Sequence, residues 1–266
     1  MISLTIMPLI PPTALRPLAE SDQALSQIQL IATDMDGTLT IDEKFTPQLF
    51  QALQKLQQAQ IAVIVITGRS AGWVNAVNHY FPVAGAICEN GGLFYQGDTT
   101  EFLVDIPDIT QHRQNLAAMF QQLQQRFPQI QEASDNRFRL TDWTFDVAGL
   151  SQADLAVMDQ QCAAAGWGFT YSTVQCHIKP HEQSKANGLQ YVLQQHFSAI
   201  SLAQVMTIGD SPNDVSLFNP VIFPNSTGVQ NVSRYTDQLA HLPRFITPSP
   251  EGKGFCELVD RLICSK

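Results

Sequence analysis

Two aspartates one residue apart, in Thr33-Asp34-Met35-Asp36-Gly37-Thr38, stand directly after the apolar run Ile28, Leu30, Ile31 and Ala32. If that run is a buried strand, both acids emerge at its C-terminal end, where open α/β sheets collect their ligands. One carboxylate there can act as a nucleophile, and the other can move a proton to and from the reacting oxygen. An acidic turn with Gly37 at positive φ is the plain alternative for so short a motif. Three further segments bear on the choice. After the β-branched run Ile61 to Ile66 comes Thr67-Gly68-Arg69. A hydroxyl and a backbone N–H beside a glycine can hold an anionic oxygen there, and Arg69 can bind a substrate group or cap the site; Thr67 as a simple helix cap competes with this. Lys185 follows Ser184 in the first turn of a predicted helix. The macrodipole disfavours a cation at that place, so the lysine needs a carboxylate cluster or a phosphate to compensate it. After Val205 to Ile208 comes Gly209-Asp210-Ser211-Pro212-Asn213-Asp214, with two acids about one helical turn apart. Hard oxygen ligands of this kind suit magnesium, although Asp214 alone could be an N-cap.

Elements must bring these segments together. Thr46-Pro47 reads as an N-cap followed by proline at the first helical position, and Leu49, Leu53 and Leu56 recur on one face of the helix that follows. The strand over 61–66, a helix from Ser70 to Tyr80 and a strand from Ala84 to Cys88 continue an alternation that predicts a doubly wound parallel sheet. Beyond Gly91-Gly92 the texture changes. Phe102, Val104 and Ile106 alternate in polarity, as do Trp143, Phe145 and Val147, and Val174, Cys176 and Ile178. Helical patterns run through Leu116, Met119, Phe120 and Leu123, and through Leu155, Met158 and Cys162, which makes a separate α+β layer. The parallel pattern resumes with a helix from Ser184, a strand from Val205 to Ile208 and a short strand around Val221 to Phe223. The expected organisation is an N-terminal arm over 1–27, an α/β core over 28–93 and 182–266, and an inserted α+β cap over 94–181. All the candidate residues then fall at one edge of one sheet.

Composition narrows the class and reads as globular. The 266 residues are 44% hydrophobic, enough for one large domain or two smaller ones, and carry a formal charge of -9. No basic block with interleaved aromatics offers a nucleic-acid groove. A phosphorylated substrate can still bind where a metal ion and a few cations reverse the local field. The five scattered cysteines, Cys88, Cys162, Cys176, Cys256 and Cys264, have no Cys-x-x-Cys spacing and read as buried reduced thiols, which points to the cytoplasm. No run reaches the ~20 apolar residues of a membrane span. Met1 to Pro12 lacks a basic start and is broken by prolines, so it reads as an irregular arm rather than a signal sequence.

Through four ordered motifs the sequence resembles the haloacid dehalogenase superfamily of phosphohydrolases. They are Asp34-Met35-Asp36-Gly37-Thr38, Thr67-Gly68-Arg69, Lys185 within Ser-Lys-Ala-Asn-Gly, and Gly209 to Asp214. The resemblance covers residues 28 to 266, with the cap between the second and third motifs as in the Cof-like and sucrose-phosphatase-like branch. It implies a Rossmann-like core and Mg²⁺-dependent hydrolysis of a small phosphorylated metabolite. Asp34 is expected to attack phosphorus and give an aspartyl-phosphate, and Asp36 to protonate the leaving alcohol and then activate water. Thr67 and Lys185 would hold the phosphoryl oxygens. Asp34, the Asp36 carbonyl and Asp210 would bind the metal, with Asp214 acting through water or orienting Lys185.

Gly68, Arg69, Asn90 and Asn213 are the expected substrate contacts. Glu89-Asn90-Gly91-Gly92, the Ser-Pro of the fourth motif and Pro250-Glu251-Gly252 lean toward mannosyl-3-phosphoglycerate phosphatases, which points to a sugar phosphate or glycosyl phosphoglycerate as substrate. Gly91-Gly92 is equally readable as a hinge. In the cap, Arg137, Arg139, His177 and Lys179 are the cations able to meet an anionic or hydroxylated substrate. A phosphosugar mutase and a catalytically silent binding protein are the alternatives. A metal-independent dehalogenase is disfavoured by Asp36 and by the pairing of Asp210 with Asp214.

Overall fold

The apolar runs form the strands of a sheet covered on both faces. The computed structural model describes residues 15–172 and 174–266. Its larger sheet contains β1 (Arg16–Pro17), β2 (Leu30–Thr33), β3 (Ala62–Ile66), β4 (Gly85–Cys88), β5 (Leu93–Gln96) and β6 (Thr99–Phe102). A second, smaller sheet holds β7 (Trp143–Asp146), β8 (Trp167–Tyr171) and β9 (Gln175–Pro180). The chain then returns to the larger sheet as β10 (Val205–Gly209), β11 (Ser226–Gly228) and β12 (Phe245–Ile246). The nine strands lie in the order β1-β12-β11-β10-β2-β3-β4-β5-β6. Those from β1 to β4 in that order run parallel, and β5 and β6 turn back antiparallel. β2 is central, between β10 and β3, with Ala32 beside Thr207 and Ile64.

Helices α1 (Asp22–Leu25), α2 (Pro47–Gln58), α3 (Ala71–Tyr80) and α7 (Glu251–Cys264) cover one face of this sheet. They bury Leu25, Leu53, Val74 and Leu258 against Ile31, Val63 and Val65. Helix α6 (Lys185–His196) covers the other face, with Leu189 and Val192 packed on Leu30, Ala32 and Ile64. Alternate residues of a strand point to opposite faces, so these continuous apolar runs are what a doubly wound sheet demands. Thr46 caps α2 by accepting from the Leu49 N–H at 3.3 Å, with Pro47 opening the helix.

The smaller sheet is antiparallel, in the order β7-β9-β8. Helices α4 (Ile109–Arg126) and α5 (Gln152–Ala164) pack on one of its faces, where Leu116, Phe120 and Leu155 meet Phe145, Cys176 and Ile178. An α+β layer is thus inserted in an α/β core.

Several elements differ from the sequence reading. The alternation at Phe102, Val104 and Ile106 belongs to no strand of the inserted layer. β5 and β6 instead extend the large sheet beyond β4, with Leu93 opposite both Cys88 and Phe102. Alternation reports one covered face and does not say which sheet covers it. The strand expected at Val221 to Phe223 is a turn, with Val221 exposed, and the strand is β11. The arm expected over 1–27 divides. Met1 to Pro12 lies outside the described residues, whereas β1 pairs with β12 and buries Leu18 and Leu25 in the core. Cys88, Cys162 and Cys176 are buried, but Cys264 at the end of α7 is exposed.

Candidate active site

The C-terminal ends of β2, β3 and β10 are adjacent, and their three loops meet the head of α6. Asp34 continues β2 and is held there by its N–H donating to the Ile208 carbonyl at 2.9 Å. Its carboxylate is buried and accepts at Oδ1 from the Lys185 ammonium at 2.5 Å. Lys185 opens α6 under a Ser184 cap and is itself buried; its Nζ also reaches Asp214 Oδ1 at 2.7 Å. These carboxylates are the anions that a lysine in a first helical turn requires.

Asp214 serves twice. Its Oδ2 accepts from the N–H of Asp210 at 2.9 Å and of Ser211 at 3.1 Å, which caps the short 3₁₀ segment 212–218, while Oδ1 holds Lys185. The N-cap is thus Ser211 rather than Asp214, which is the third-position acid of its capping box, and this structural role is compatible with the functional one. Asp210 accepts from Thr38 Oγ1 at 3.2 Å and from Asn231 Nδ2 at 2.8 Å. Asn231 also donates to the Gly37 carbonyl at 3.1 Å, so it ties the first and fourth motifs together. Sequence reasoning missed it, because it follows β11, whose Ser226-Thr227-Gly228 carries no apolar signal. Gly37 has φ +81, and a Cβ there would lie 2.6 Å from Asp210 Oδ2. The turn that delivers Asp36 therefore requires glycine.

Carboxylate oxygens of Asp34, Asp210 and Asp214 lie within 4.8 Å of one another. Burial pushes Asp34 up to about 7 against the pull of Lys185, and burial with the charge of Asp34 raises Asp210 well above the usual carboxylate range. Burial works against the Lys185 ammonium, but Asp214 and Asp34 outweigh it and hold its pKa above the ordinary value. Three buried carboxylates thus face one buried ammonium. An all-oxygen cluster with a deficit of positive charge fits a hard divalent cation.

Above the cluster, Asp34, Asp36, Thr67, Gly68, Arg69 and Asn213 line a crevice. Thr67, buried at the end of β3, accepts at Oγ1 from the Arg69 N–H at 3.1 Å. That bond leaves its hydroxyl hydrogen able to point at a ligand. Asp36 is half-buried and is gripped by Arg69 through two bonds, Nη2 to Oδ1 at 2.7 Å and Nε to Oδ2 at 2.9 Å. Arg69 is therefore engaged with a residue of the site itself. Asn213 donates to Asn90 Oδ1 at 3.4 Å, and Asn90 Nδ2 is buried without a partner among the described residues. Asn90, Lys185, Asp210 and Asp214 lie behind the residues that line the crevice.

The inserted layer closes the other side with Ser172, Val174, Gln175 and His177, leaving a cavity of about 30 Å³. That is room for a water or two. Of the four cap cations singled out in the sequence, His177 alone reaches the crevice. Arg139 is buried and bound to Asp142, Asp135, Gln175 and the Gly68 carbonyl. Lys179 is buried with its ammonium on the Gln183 carbonyl, and Arg137 lies over the ring of Phe138. A buried cation needs anionic or carbonyl partners close by, and sequence spacing does not reveal them.

A family model described as Sucrose-6F-phosphate phosphohydrolase matches residues 27–249. The chain belongs to that family. It is thereby a phosphohydrolase of the haloacid dehalogenase superfamily, a phosphoric monoester hydrolase. A phosphoglycolate phosphatase of Methanothrix thermoacetophila is 26% identical over 239 residues, covering 88% of this chain and 97% of its own length. Another from Archaeoglobus fulgidus is 28% identical over 237 residues, covering 87% and 96%. Among solved structures, a Thermoplasma acidophilum protein superposes with a TM-score of 0.72 at 19% identity over 89% of this chain and 98% of its own. The sucrose-phosphatase of a Synechocystis species, solved with sucrose and phosphate, gives 0.62 at 16% identity over 89% and 98%. These structural likenesses establish that the family fold is present.

Proposed function

We propose that the protein is a metal-dependent phosphatase that hydrolyses a small phosphorylated metabolite through an aspartyl-phosphate. The observation that carries this reading is the convergence of Asp34, Lys185, Asp210 and Asp214 in one buried cluster, beneath a crevice lined by Asp36 and Thr67.

Asp34 is the nucleophile: one oxygen is fixed by Lys185, and the other forms the bond to phosphorus as the bond to the leaving oxygen breaks. Asp36 gives its proton to that oxygen. In the second half it takes a proton from water, whose oxygen displaces Asp34 from phosphorus. Lys185 and the Thr67 hydroxyl hold the phosphoryl oxygens, a positioning and charge-stabilising role that supplies most of the catalysis in phosphoryl transfer. Asp34, Asp210 and the Asp36 carbonyl would hold Mg²⁺, with Asp214 behind them; when bound, the ion supplies Lewis-acid stabilisation of the phosphoryl charge. Gly68, Asn90 and Asn213 shape the substrate side. Arg69 holds Asp36 in place at the edge of the crevice, and the inserted layer, a cap between β6 and α6, must lift from so small a cavity to admit a substrate.

The relatives' names support sugar phosphates and phosphoglycolate as candidate substrates. Glycosyl phosphoglycerates belong in the same trial on the strength of the Glu89 to Gly92 segment. Buried thiols at Cys88, Cys162 and Cys176 support a reducing, cytoplasmic setting. The deciding experiment measures phosphate release from a panel of these esters and p-nitrophenyl phosphate, with Mg²⁺ and with chelator, alongside Asp34→Asn. Magnesium-dependent release, lost by at least ~1000-fold in a folded Asp34→Asn protein, is expected. Turnover that survives either change removes the mechanism.

A further inference from the structure

β9 shows two different faces. Cys176 and Ile178 point into the apolar core beneath α4 and α5, so Gln175 and His177 take the opposite face, toward the crevice. His177 is almost fully buried, and its Nδ1 lies 2.8 Å from Asp142 Oδ2. Asp142 is also buried, and both its oxygens accept from Arg139 Nη1 at 3.0 Å. Arg139 in turn donates to the Gly68 carbonyl at 2.9 Å, which fixes this network against the phosphate-side loop. A Cβ at Gly68 would meet His177 Cε1 at 3.1 Å, so the Cε1 edge of the ring lies against that loop.

The network defines the ring's chemistry. A carboxylate bound to arginine accepts only, so Nδ1 carries the hydrogen that faces it. Burial holds His177 below the usual histidine range despite Asp142, with the Arg139 and Lys179 charges pushing the same way as burial. In a neutral ring so oriented, Nε2 is an acceptor, and it has no protein partner among the described residues. The other crevice residues from the inserted layer, Ser172, Val174 and Gln175, carry no charge. Gln175 Oε1 accepts from Arg139 Nη2 at 3.1 Å, which leaves the Gln175 amide as a donor. Arg69 is committed to Asp36.

We propose that His177, held by Asp142 and Arg139, is a specificity residue that accepts a hydroxyl hydrogen of the leaving alcohol through Nε2. It therefore favours hydroxylated over carboxylated phosphate esters. This rests on the phosphatase reading. Asp142 and Arg139 are positioning residues for the ring. A carboxylate on the leaving group would meet an acceptor and no uncommitted cation on this side of the crevice.

His177→Asn tests the idea, because an asparagine amide can occupy the Nδ1 position and keep the bond to Asp142 while removing Nε2. Wild type and variant are compared on glucose 6-phosphate, sucrose 6F-phosphate, phosphoglycolate and p-nitrophenyl phosphate with Mg²⁺. The wild type is expected to prefer the better sugar ester to phosphoglycolate. The variant should lose about tenfold in kcat/KM on that ester, mostly through KM, and stay within about twofold on p-nitrophenyl phosphate. Equal losses on all esters, an unchanged ratio, or a wild type that prefers phosphoglycolate would overturn the proposal.

Imidazole ¹⁵N spectra of the wild type read it without turnover or a variant. The Nδ1–H tautomer should be present, and the Nε2 resonance should shift when glucose 6-phosphate saturates the protein. The opposite tautomer, or an unmoved resonance, refutes the role of His177. A wild type inert on p-nitrophenyl phosphate instead counts against the phosphatase reading.

Discussion

Three buried carboxylates facing one buried ammonium leave the site short of positive charge, and the residues record this in their proton affinities. Asp34 is pushed up to about 7 by burial against the pull of Lys185. Outside that cluster, Glu89 is also pushed up to about 7, by burial and the charge of Asp142, although Arg139 and the N–H groups of Thr141 and Ala71 stabilise its ionised form. Each binds a proton in the native protein that the unfolded chain has already released between about pH 4 and pH 7. By linkage, the stability these groups contribute is complete below their unfolded values and is lost as pH rises through about 7. Asp142, whose pKa is held low by Arg139 and His177 despite burial, works the other way at more acidic pH, and His177 and His112, which burial holds below the usual histidine range, offset part of the loss within the window. The metal-free protein should therefore become less stable between pH 5 and pH 8, by an amount on the order of a few kcal/mol. Urea midpoints in chelator check this. Addition of Mg²⁺ should flatten the slope, because the ion needs Asp34 ionised. A midpoint that rises with pH in chelator would contradict the charge deficit.

At the scale of elements, the two crossings between core and inserted layer lie side by side. Gly91 has φ +103, and a Cβ there would lie 2.1 Å from the Ser184 carbonyl oxygen. Nearby, the Glu89 carboxylate accepts from the N–H of Ala71 at 2.9 Å, which opens α3, and from the N–H of Thr141 at 2.6 Å, in the inserted layer. Glu89 thereby joins both layers through one buried side chain. Gly91→Ala should destabilise the protein by about 2–4 kcal/mol, since it combines a left-handed backbone with a clash against backbone. Urea unfolding measures the loss, and wild-type stability in the variant would show that the crossing has slack.

Much of this arrangement was legible in the sequence. The runs before Asp34, Thr67 and Asp210 are apolar on both faces and become β2, β3 and β10, which fixes where the motifs emerge. β8 was not legible, because Trp167-Gly168-Phe169-Thr170-Tyr171 places a glycine inside the strand directly after Gly166. β11 was hidden for the opposite reason, having no large side chain. At the site, the four motifs were readable because each follows a strand or opens a helix. The bonds of Arg69 to Asp36 and of Arg139 to Asp142 depend on pairings across the fold that no local pattern encodes.

At the scale of the whole molecule, the family match spans residues 27–249, yet the segments on either side of it pack on the matched core and on each other. β1 pairs with β12, and Leu18 is buried with Leu25 against α7. Arg261 of α7 forms an ion pair with Asp22 at 2.8 Å and donates to the Ala19 carbonyl, and Lys266 reaches the Ile28 carbonyl at 2.8 Å. The exposed ion pair adds little, whereas the buried leucine and the edge pairing are worth a few kcal/mol. The reading of residues 1–27 as an arm outside the core predicts that trimming residues 1–20 leaves stability nearly unchanged, and the packing of β1 and Leu18 predicts the opposite. The trimmed protein should melt about 5 °C or more below the full chain, because a domain of this size loses ~2–4 °C per kcal/mol. Of the described residues among those removed, 15–20, none lines the crevice or belongs to the carboxylate cluster, so KM on p-nitrophenyl phosphate should be unchanged below the melting range. An unaltered melting temperature would mean that β1 and Leu18 contribute no net stability. A raised KM would mean that the terminal layer helps set the position of β10 and its aspartates through β12 and β11.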